Sequence, residues 1–180
     1  NMAPRLGHRI FVKAKGWTPM CYGNDGIWSE YSITIVINEE TFPDAKFRSW
    51  VLSQTYGADG KLTGEEIAGV KSINVSNKDI HSLKGIEFFA ALEELDCSGN
   101  MVEATSWKFD LSQNTALKML KCSSAYLRKL DVSKCTQLEH LICYLNDMIN
   151  LNVSGCVALK KLQCNGNKLT TLDVSGCAAL

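Results

Sequence analysis

Seven of the eight cysteines recur at a fixed spacing, and this spacing constrains the fold more than any other feature of the sequence. They form two interleaved series, whose members lie 21 residues apart except for one interval of 25. The first series is Cys97, Cys122, Cys143 and Cys164, and the second is Cys135, Cys156 and Cys177. A set of disulfide staples has no reason to share one period, whereas a structural repeat must. The cysteines therefore predict a stack of equivalent coils.

The cysteines belong to a longer repeated pattern. Each unit reads L-x-x-L-x-C-x-x-N, although Ala125 replaces the asparagine in the second unit. The units begin at Leu92, Leu117, Leu138 and Leu159. A second leucine stripe follows in each unit, as in LDVSKC from Leu130 and LNVSGC from Leu151. The pattern is that of a leucine-rich repeat in which cysteine takes the place of the third leucine.

The repeat also predicts which side chains are buried. Alternation along a strand points Leu95 and Cys97 to one side, which we expect to be the interior, where cysteine serves as a small apolar side chain. Glu94, Asp96 and Ser98 then point to the opposite face. The asparagines that end the pattern are expected to bond to backbone groups at the turn. They are Asn100, Asn146 and Asn167.

The sequence patterns divide the chain into three parts. Residues 1–40 are predicted to be a β-hairpin-like segment, residues 41–70 a helical cap, and residues 71–180 leucine-rich repeats of about 21 residues. The fold class is therefore α+β, a leucine-rich-repeat parallel β-solenoid with a small helical N-terminal cap and a preceding β-hairpin segment. A cap is needed because the first coil otherwise exposes its core edge. The first full unit carries four extra residues within MVEATSWKF, where Trp107 is expected to cover the flank of the solenoid rather than contact a ligand.

The cap region is predicted to contain two helices. In TFPDAKFRSWVLSQ, the side chains of Phe47, Trp50 and Val51 share one helical face. The second helix begins at TGEE, where Thr63 and Glu66 have the spacing of a capping box.

Between the two helices, TYGADGKLTGEE (residues 55–66) matches only the second half of an EF-hand calcium loop. Thr55 and Gly57 occupy positions where a calcium loop needs carboxylate or amide ligands. The capping box accounts for Glu66 without a metal. We therefore expect neither a metal nor a cofactor in this chain.

Residues 1–40 contain two stretches that alternate like strands, RIFVKA (9–14) and SITIVI (32–37). Four aromatic residues lie between them: Trp17, Tyr22, Trp28 and Tyr31. HRIFVKAKGWT resembles the opening of a starch-binding β-module, in which aromatic rings stack on sugars. Only about 35 residues match, which is too few for a β-sandwich of roughly 100. We favour a hairpin packed on the cap, and carbohydrate binding through these aromatics is the alternative.

The balance of charge argues against nucleic acid as a partner. The chain has 19 Lys and Arg and 19 Asp and Glu, so its formal net charge is zero. A nucleic-acid-binding protein normally has a basic surface that neutralises phosphates. No apolar run approaches the roughly 18 residues that span a bilayer, so we expect no membrane insertion in this segment.

The sequence does not predict an enzyme. It contains three histidines, His8, His81 and His140, and none of the common nucleophile, metalloprotease or phosphate-binding motifs. His140 is three residues from Cys143, but strand alternation places the two side chains on opposite faces. A row of thiols along a coil axis is also not the tetrahedral arrangement that zinc requires.

The repeats resemble the cysteine-ladder class of internalin-like leucine-rich-repeat proteins, closely over residues 71–180. The resemblance implies a parallel β-solenoid whose cysteines are buried and reduced. It also implies an exported protein, extracellular or on a bacterial cell surface, that acts as an adhesin or binding protein.

The predicted binding site lies on the outward positions of the repeat strands, which form the concave sheet of such a solenoid. Ile142 and Tyr144 are apolar or aromatic where most equivalent positions are polar, and aromatic residues are enriched at interface hot spots. Met119 and His140 extend this patch to neighbouring positions. With the outward lysines, the predicted contact residues are Met119, Lys121, His140, Ile142, Tyr144 and Lys161.

The expected function is binding or adhesion, through recognition of a protein or glycan by the concave sheet. Two alternatives remain open, namely a structural spacer and carbohydrate binding through the N-terminal aromatics. A polar concave face would favour the spacer, and a contiguous apolar patch would favour recognition. Leu180 falls where a new repeat would begin, so we also expect an exposed edge that permits end-to-end self-association.

Overall fold

The structure is a computed structural model that describes residues 34–102 and 109–180. Ser32–Leu180 form one compact unit. The predicted strand at 9–14, the aromatics between Trp17 and Tyr31, and the insertion with Trp107 lie outside the described residues.

Two short strands and two helices form the part that precedes the repeats. Strand β1 (Thr34–Val36) pairs antiparallel with β2 (Lys61–Thr63). Helix α1 (Ala45–Leu52) lies between them in sequence, and α2 (Gly64–Gly69) follows β2 directly. Within the described part of the chain, no helix has the length and apolar character needed to cross a membrane. The two helices predicted from the sequence are confirmed.

Side chains fix the start of each helix. Asp44 precedes α1, and its carboxylate accepts hydrogen bonds from the backbone N–H groups of Lys46 and Phe47. Thr63 precedes α2 in the predicted capping box: its hydroxyl accepts from the Glu66 N–H, and the Glu66 carboxylate accepts from the Thr63 N–H at 2.8 Å. These contacts satisfy N–H groups that a helix start leaves without partners.

The repeats form a stack of short parallel strands in two sheets. The larger sheet, which we name the front sheet, has the order β3, β4, β5, β7, β9. Its strands are Ser72–Asn74, Glu94–Asp96, Met119–Lys121, His140–Ile142 and Lys161–Gln163. The second leucine stripe forms a two-stranded parallel sheet of β6 (Lys129–Asp131) and β8 (Asn150–Asn152). A 3-10 helix, Ile86–Phe88, lies in the first coil. The predicted parallel β-solenoid is confirmed.

The interior contains the side chains that alternation predicts. The central leucines of neighbouring front-sheet strands pair directly, Leu95 with Leu120 and Leu120 with Leu141. These leucines are buried, and the cysteines that follow them (Cys97, Cys122 and Cys143) are completely buried. Val75 fills the same position in the first coil, because its N–H bonds to the next coil as the cysteine N–H groups do.

The cap closes the first coil with an aromatic cluster. Phe42 contacts both Phe47 of α1 and Phe89 of the first coil, with ring centroids 5.6 and 6.5 Å apart. Tyr56 meets Phe89 edge-on at 6.0 Å. The cap and the coils therefore share one continuous hydrophobic core.

Candidate binding surface on the front sheet

The register of the front sheet brings the predicted contact residues together. Met119, His140 and Lys161 occupy equivalent positions of three neighbouring strands and pair in that order. Lys121 pairs with Ile142 in the same way. Parallel strands lie about 4.8 Å apart, so these side chains form one contiguous strip across the face. Tyr144 lies two residues beyond Ile142, where the chain leaves the sheet.

The strip is only partly open to solvent. Met119, Lys121, His140 and Ile142 are half-buried by their neighbours, whereas Tyr144 and Lys161 are exposed. Ser123 occupies the same repeat position as Tyr144 and as Ser98, for which the sequence predicts an outward side chain, but it is buried, with 3% of its surface exposed. Its hydroxyl donates to the Ile142 carbonyl at 3.4 Å, which holds the serine against the next coil. Tyr144 therefore extends the exposed surface in a way that Ser123 does not.

Charge is unevenly distributed over this face. The outward residues of β4 are both acidic, Glu94 and Asp96. The outward positions of β5, β7 and β9 carry two lysines and a histidine but no acidic residue. Lys121 contacts Asp96 with Nζ 3.9 Å from the carboxylate. Lys161 makes no ion pair with any residue of 34–102 or 109–180.

Residues of opposite charge alternate from coil to coil at the position that immediately precedes each strand of the front sheet. In coil order they are Lys71, Glu93, Lys118, Glu139 and Lys160. Lys118 Nζ lies 2.6 Å from the Glu93 carboxylate, and Lys160 Nζ lies 2.7 Å from that of Glu139. The hydrogen bond from Lys118 lowers the pKa of Glu93, and that from Lys160 lowers the pKa of Glu139.

Buried asparagines support the turns that follow the strands of the front sheet. Asn146 accepts bonds from the N–H groups of Ala125 and Leu127 in the preceding coil, at 2.9 and 3.1 Å. Its amide donates to the carbonyls of Cys122 and Cys143, at 2.9 and 3.0 Å. Asn100 makes the same four kinds of bond two coils earlier in the array. The predicted role of these asparagines is confirmed.

The turns also contain left-handed backbone that the sequence pattern did not reveal. The residue after the last outward position has positive φ in every coil: 53° at Asn77, 67° at Gly99, 52° at Ser124, 54° at Leu145 and 68° at Gly166. Tyr126 has φ of 58° two residues after Ser124. Glycine adopts this conformation freely, whereas side chains with Cβ are strained in it. Two glycines among five equivalent positions were too weak a signal to predict it.

The cysteines do not form a reactive site. All seven described cysteines are free thiols, and six are buried while Cys164 is half-buried. Burial raises the pKa of Cys135 and Cys143 to about 12, and that of Cys156 to about 11. A thiol is nucleophilic as the thiolate, so these groups stay protonated and unreactive at neutral pH.

The described residues contain no cluster of three or more His, Cys, Asp or Glu side chains that could hold a metal ion. In the EF-hand-like loop, Asp59 accepts from the Lys61 N–H at 3.0 Å. Glu66 is bonded to both the N–H and the hydroxyl of Thr63. Both carboxylates are therefore engaged by the loop and helix start.

Comparisons with known proteins agree with this geometry. The family model of the leucine-rich-repeat domain of the endo-β-N-acetylglucosaminidase EndoS matches residues 42–180. The functional domain of InlJ from Listeria monocytogenes, which includes a cysteine ladder, is 34% identical, with a TM-score of 0.69 over 82% of this chain. An internalin, InlF, from the same organism is 21% identical, with a TM-score of 0.53 over 82% of this chain, and supports the fold alone.

The chain covers 32% of the InlJ structure and 49% of the InlF structure, so it spans half or less of either. None of the curated proteins compared with it matches significantly. The predicted resemblance to cysteine-ladder internalins is confirmed by the InlJ comparison. The chain belongs to the leucine-rich-repeat family represented by the EndoS repeat domain.

Proposed function

We propose that this chain is a protein-binding module whose front sheet recognises a partner protein. The observation that carries the proposal is the strip with Met119, His140 and Ile142, which the strand register makes contiguous and which Tyr144 extends past the end of β7. A purely structural spacer has no need for partly apolar side chains at outward positions. Aromatic and aliphatic anchors surrounded by polar groups are typical of interface hot spots.

The proposal is tested by screening the chain against an array of extracellular protein domains. The double variant Ile142→Ser, Tyr144→Ala should lose saturable binding to any domain captured by the wild-type chain, by at least about tenfold if both residues are anchors. Val157→Ala is the matched control, because Val157 is an exposed apolar residue outside the front sheet. A double variant that binds as tightly as the wild-type chain would contradict the proposal.

A second candidate comes from the family match. The matching family takes its name from an endo-β-N-acetylglucosaminidase, an enzyme that acts on glycans. In this second candidate the repeats bind a glycan that contains N-acetylglucosamine. A glycan array separates this from protein recognition. If glycan binding is lost in Trp17→Ala and Trp28→Ala but kept in Tyr144→Ala, the glycan is bound by the N-terminal aromatics.

We further propose that the protein is exported and acts outside the cell or at the cell surface. The similarity to InlJ supports this location, because the chain shares both its fold and its cysteine ladder. Treating intact cells with a protease, and detecting the chain with an antibody before and after, tests the location. A chain that is degraded only after the cells are lysed would refute it.

A further inference from the structure

Three large exposed side chains stand on the turns by which two neighbouring coils leave the front sheet. We name Tyr126, Tyr144 and Leu145 the turn rim. Tyr126 and Leu145 are each 59% exposed and Tyr144 is 36% exposed. They come from two neighbouring coils, since Lys121 and Ile142 of these coils pair directly in the front sheet. Tyr144 also belongs to the strip described above, so the turn rim continues the binding surface over the edge of the sheet.

The backbone of the turn rim is strained where its large side chains stand. Leu145 and Tyr126 both have positive φ, at 54° and 58°. The coils on either side of these two use Gly99 and Gly166 at the position of Leu145, with φ of 67° and 68°. A leucine adopts this backbone less readily than the glycine of the neighbouring coils. Strain of this kind is typical of functional surfaces, because folding alone would favour its removal.

The structure leaves space for the Leu145 side chain without burying it. A Cβ atom on Gly166 would lie 2.8 Å from Leu145 Cδ2, so the glycine in the next coil leaves space for the leucine. The leucine nevertheless remains mostly in solvent. Neither the backbone nor the core therefore explains why a leucine stands at this position.

Charges around the turn rim indicate the chemistry of a partner. In the three coil segments 117–127, 138–148 and 159–169, the acidic residues are Glu139 and Asp147. Both are paired with lysines, at 2.7 Å to Lys160 and 2.5 Å to Lys168. Of the cations on the adjoining face, Lys121 pairs with Asp96 at 3.9 Å, and Lys161 has no ion pair within residues 34–102 and 109–180. The surface beside the turn rim is therefore apolar and cationic.

We propose that the turn rim, together with Lys121 and Lys161, binds a protein segment in which an apolar side chain lies next to one or more carboxylates. The apolar side chain covers Leu145 and the two tyrosine rings, and the carboxylates meet the lysines of the front sheet. This inference rests on the proposed function, since both surfaces share Tyr144. It differs in making Leu145 and Tyr126, which lie outside the sheet, part of the interface.

The key variant is Leu145→Gly, because it separates binding from folding. Glycine occupies the equivalent position of two other coils, so we expect this variant to fold with an unchanged or higher Tm. The probe is a library of random peptides displayed on phage and selected on the wild-type chain. Selected peptides should be enriched in Asp or Glu beside Leu, Ile, Phe or Trp. Their affinity, measured by fluorescence anisotropy, should fall at least tenfold in Leu145→Gly.

Two further variants complete the experiment. Lys161→Gln should lower the affinity for the same peptides and reduce the salt dependence of their binding, because one ionic contact is lost. Val157→Ala, which changes a residue of similar exposure (56%) outside this surface, should bind like the wild-type chain. Circular dichroism on all variants verifies that the fold is retained.

Several results would overturn the inference. One is a peptide affinity unchanged in Leu145→Gly; another is a selection that yields no acidic peptides or no binders at all. A concentration-dependent dimer that disappears in Leu145→Gly would show that a second copy occupies the turn rim instead. If Ile142→Ser, Tyr144→Ala abolishes binding but Leu145→Gly does not, the proposed function stands and only the extension to the turn rim fails.

Discussion

At the scale of single residues, the buried asparagines connect one coil to the next. Asn146 bonds to two N–H groups and two carbonyls, and these belong to two successive coils. A buried polar backbone group without a partner is costly, so one amide side chain replaces the water that the turn excludes. The chain can omit one such residue, since Ala125 occupies the position in the preceding coil.

Substituting Asn146 with alanine should therefore destabilise the protein strongly. Four buried backbone groups lose a partner, and we expect the free energy of unfolding to fall by about 3–5 kcal/mol. Urea denaturation measures the change. Asn165→Ala is the control in the neighbouring coil: Asn165 is exposed, and we expect less than about 0.5 kcal/mol there. Equal effects at the two positions would contradict this explanation of the turn.

Leu145→Gly should have the opposite effect on stability. Release of the left-handed strain contributes about 1–2 kcal/mol, and the greater flexibility of glycine in the unfolded chain offsets about 0.5–1 kcal/mol. We therefore expect the free energy of unfolding to stay the same or to rise by about 1 kcal/mol. A clear loss of stability in urea denaturation would show that the leucine has a structural role that its exposure does not reveal.

The sequence predicts such residues to different degrees. Asn146 is predictable because its type recurs at one position of the repeat. The conformations of Ser124, Tyr126 and Leu145 are not, because the residue types themselves disfavour positive φ. The burial of Ser123 also escaped prediction, since a short polar side chain at the end of a strand can turn back to the next coil.

At the scale of elements, the Asp44 carboxylate joins the cap to the first coil. One oxygen accepts from Lys46 and Phe47 at the start of α1. The other accepts from the N–H groups of His81 and Ser82, at 2.8 and 3.2 Å. The same side chain therefore caps the helix and fixes it against the coil that the helix covers.

Asp44→Ala should accordingly cost more than the loss of an ordinary helix cap. An N-cap substitution costs about 1 kcal/mol, and two further backbone N–H groups lose a charged acceptor, so we expect a loss of about 2–4 kcal/mol. Thr63→Ala, which removes the cap of α2 alone, is the matched control and should cost about 1 kcal/mol. Chemical denaturation compares the two. A loss no larger at Asp44 than at Thr63 would show that the link to the first coil adds nothing.

The elements themselves were predictable where their pattern repeats or has a local cause. The front-sheet strands follow from the leucine period, and the start of α2 follows from the capping box. The pairing of β1 with β2 was not predicted, because strands of three residues carry little register information of their own. A glycine close to the end of a helix, as Gly57 is to α1, commonly serves to reverse the chain. The helix ends earlier, at Leu52, and Gly57 is needed because a Cβ there would lie 2.3 Å from the Val51 carbonyl oxygen.

At the scale of the whole molecule, the buried thiols make the protein less stable at alkaline pH. Their pKa values are raised by burial, to about 11 for Cys156 and about 12 for Cys135 and Cys143. In the unfolded chain a thiol ionises near pH 8.5. Below that pH both states hold the proton and stability is unaffected. Above it only the unfolded state releases the proton, so stability falls as the pH rises toward the folded-state pKa.

We expect the free energy of unfolding to be nearly constant between about pH 7 and 8 and to fall steeply from about pH 9 to 11. Each protonated thiol contributes a slope of up to about 1.4 kcal/mol per pH unit. Urea denaturation in a reducing buffer at several pH values measures the slope, which should decrease in Cys143→Ala. Tyr56→Phe removes a further contribution above pH 10, since burial raises the Tyr56 pKa to about 12. A slope unchanged in Cys143→Ala would refute the role of this thiol.

The register of the whole array made the candidate binding surface predictable as a strip. Residues one period apart become direct neighbours, so Met119 and His140 were expected together and pair as expected. The longer interval between Cys97 and Cys122 does not disturb this, because Glu94 still pairs with Met119. The turn rim could not be derived in the same way, since it depends on exposure and backbone conformation within particular coils.

The alternating charges beside the front sheet have a consequence for how such an array can change in length. Loss of the single coil 118–138 would place Glu93 next to Glu139, and like charges in adjacent strands repel. Loss of two coils would place Glu93 next to Lys160, which restores attraction. The cysteine and asparagine positions are compatible with any number of coils. The alternating charges instead favour the gain or loss of an even number of coils. Duplication and deletion should therefore be tolerated best in pairs of repeats.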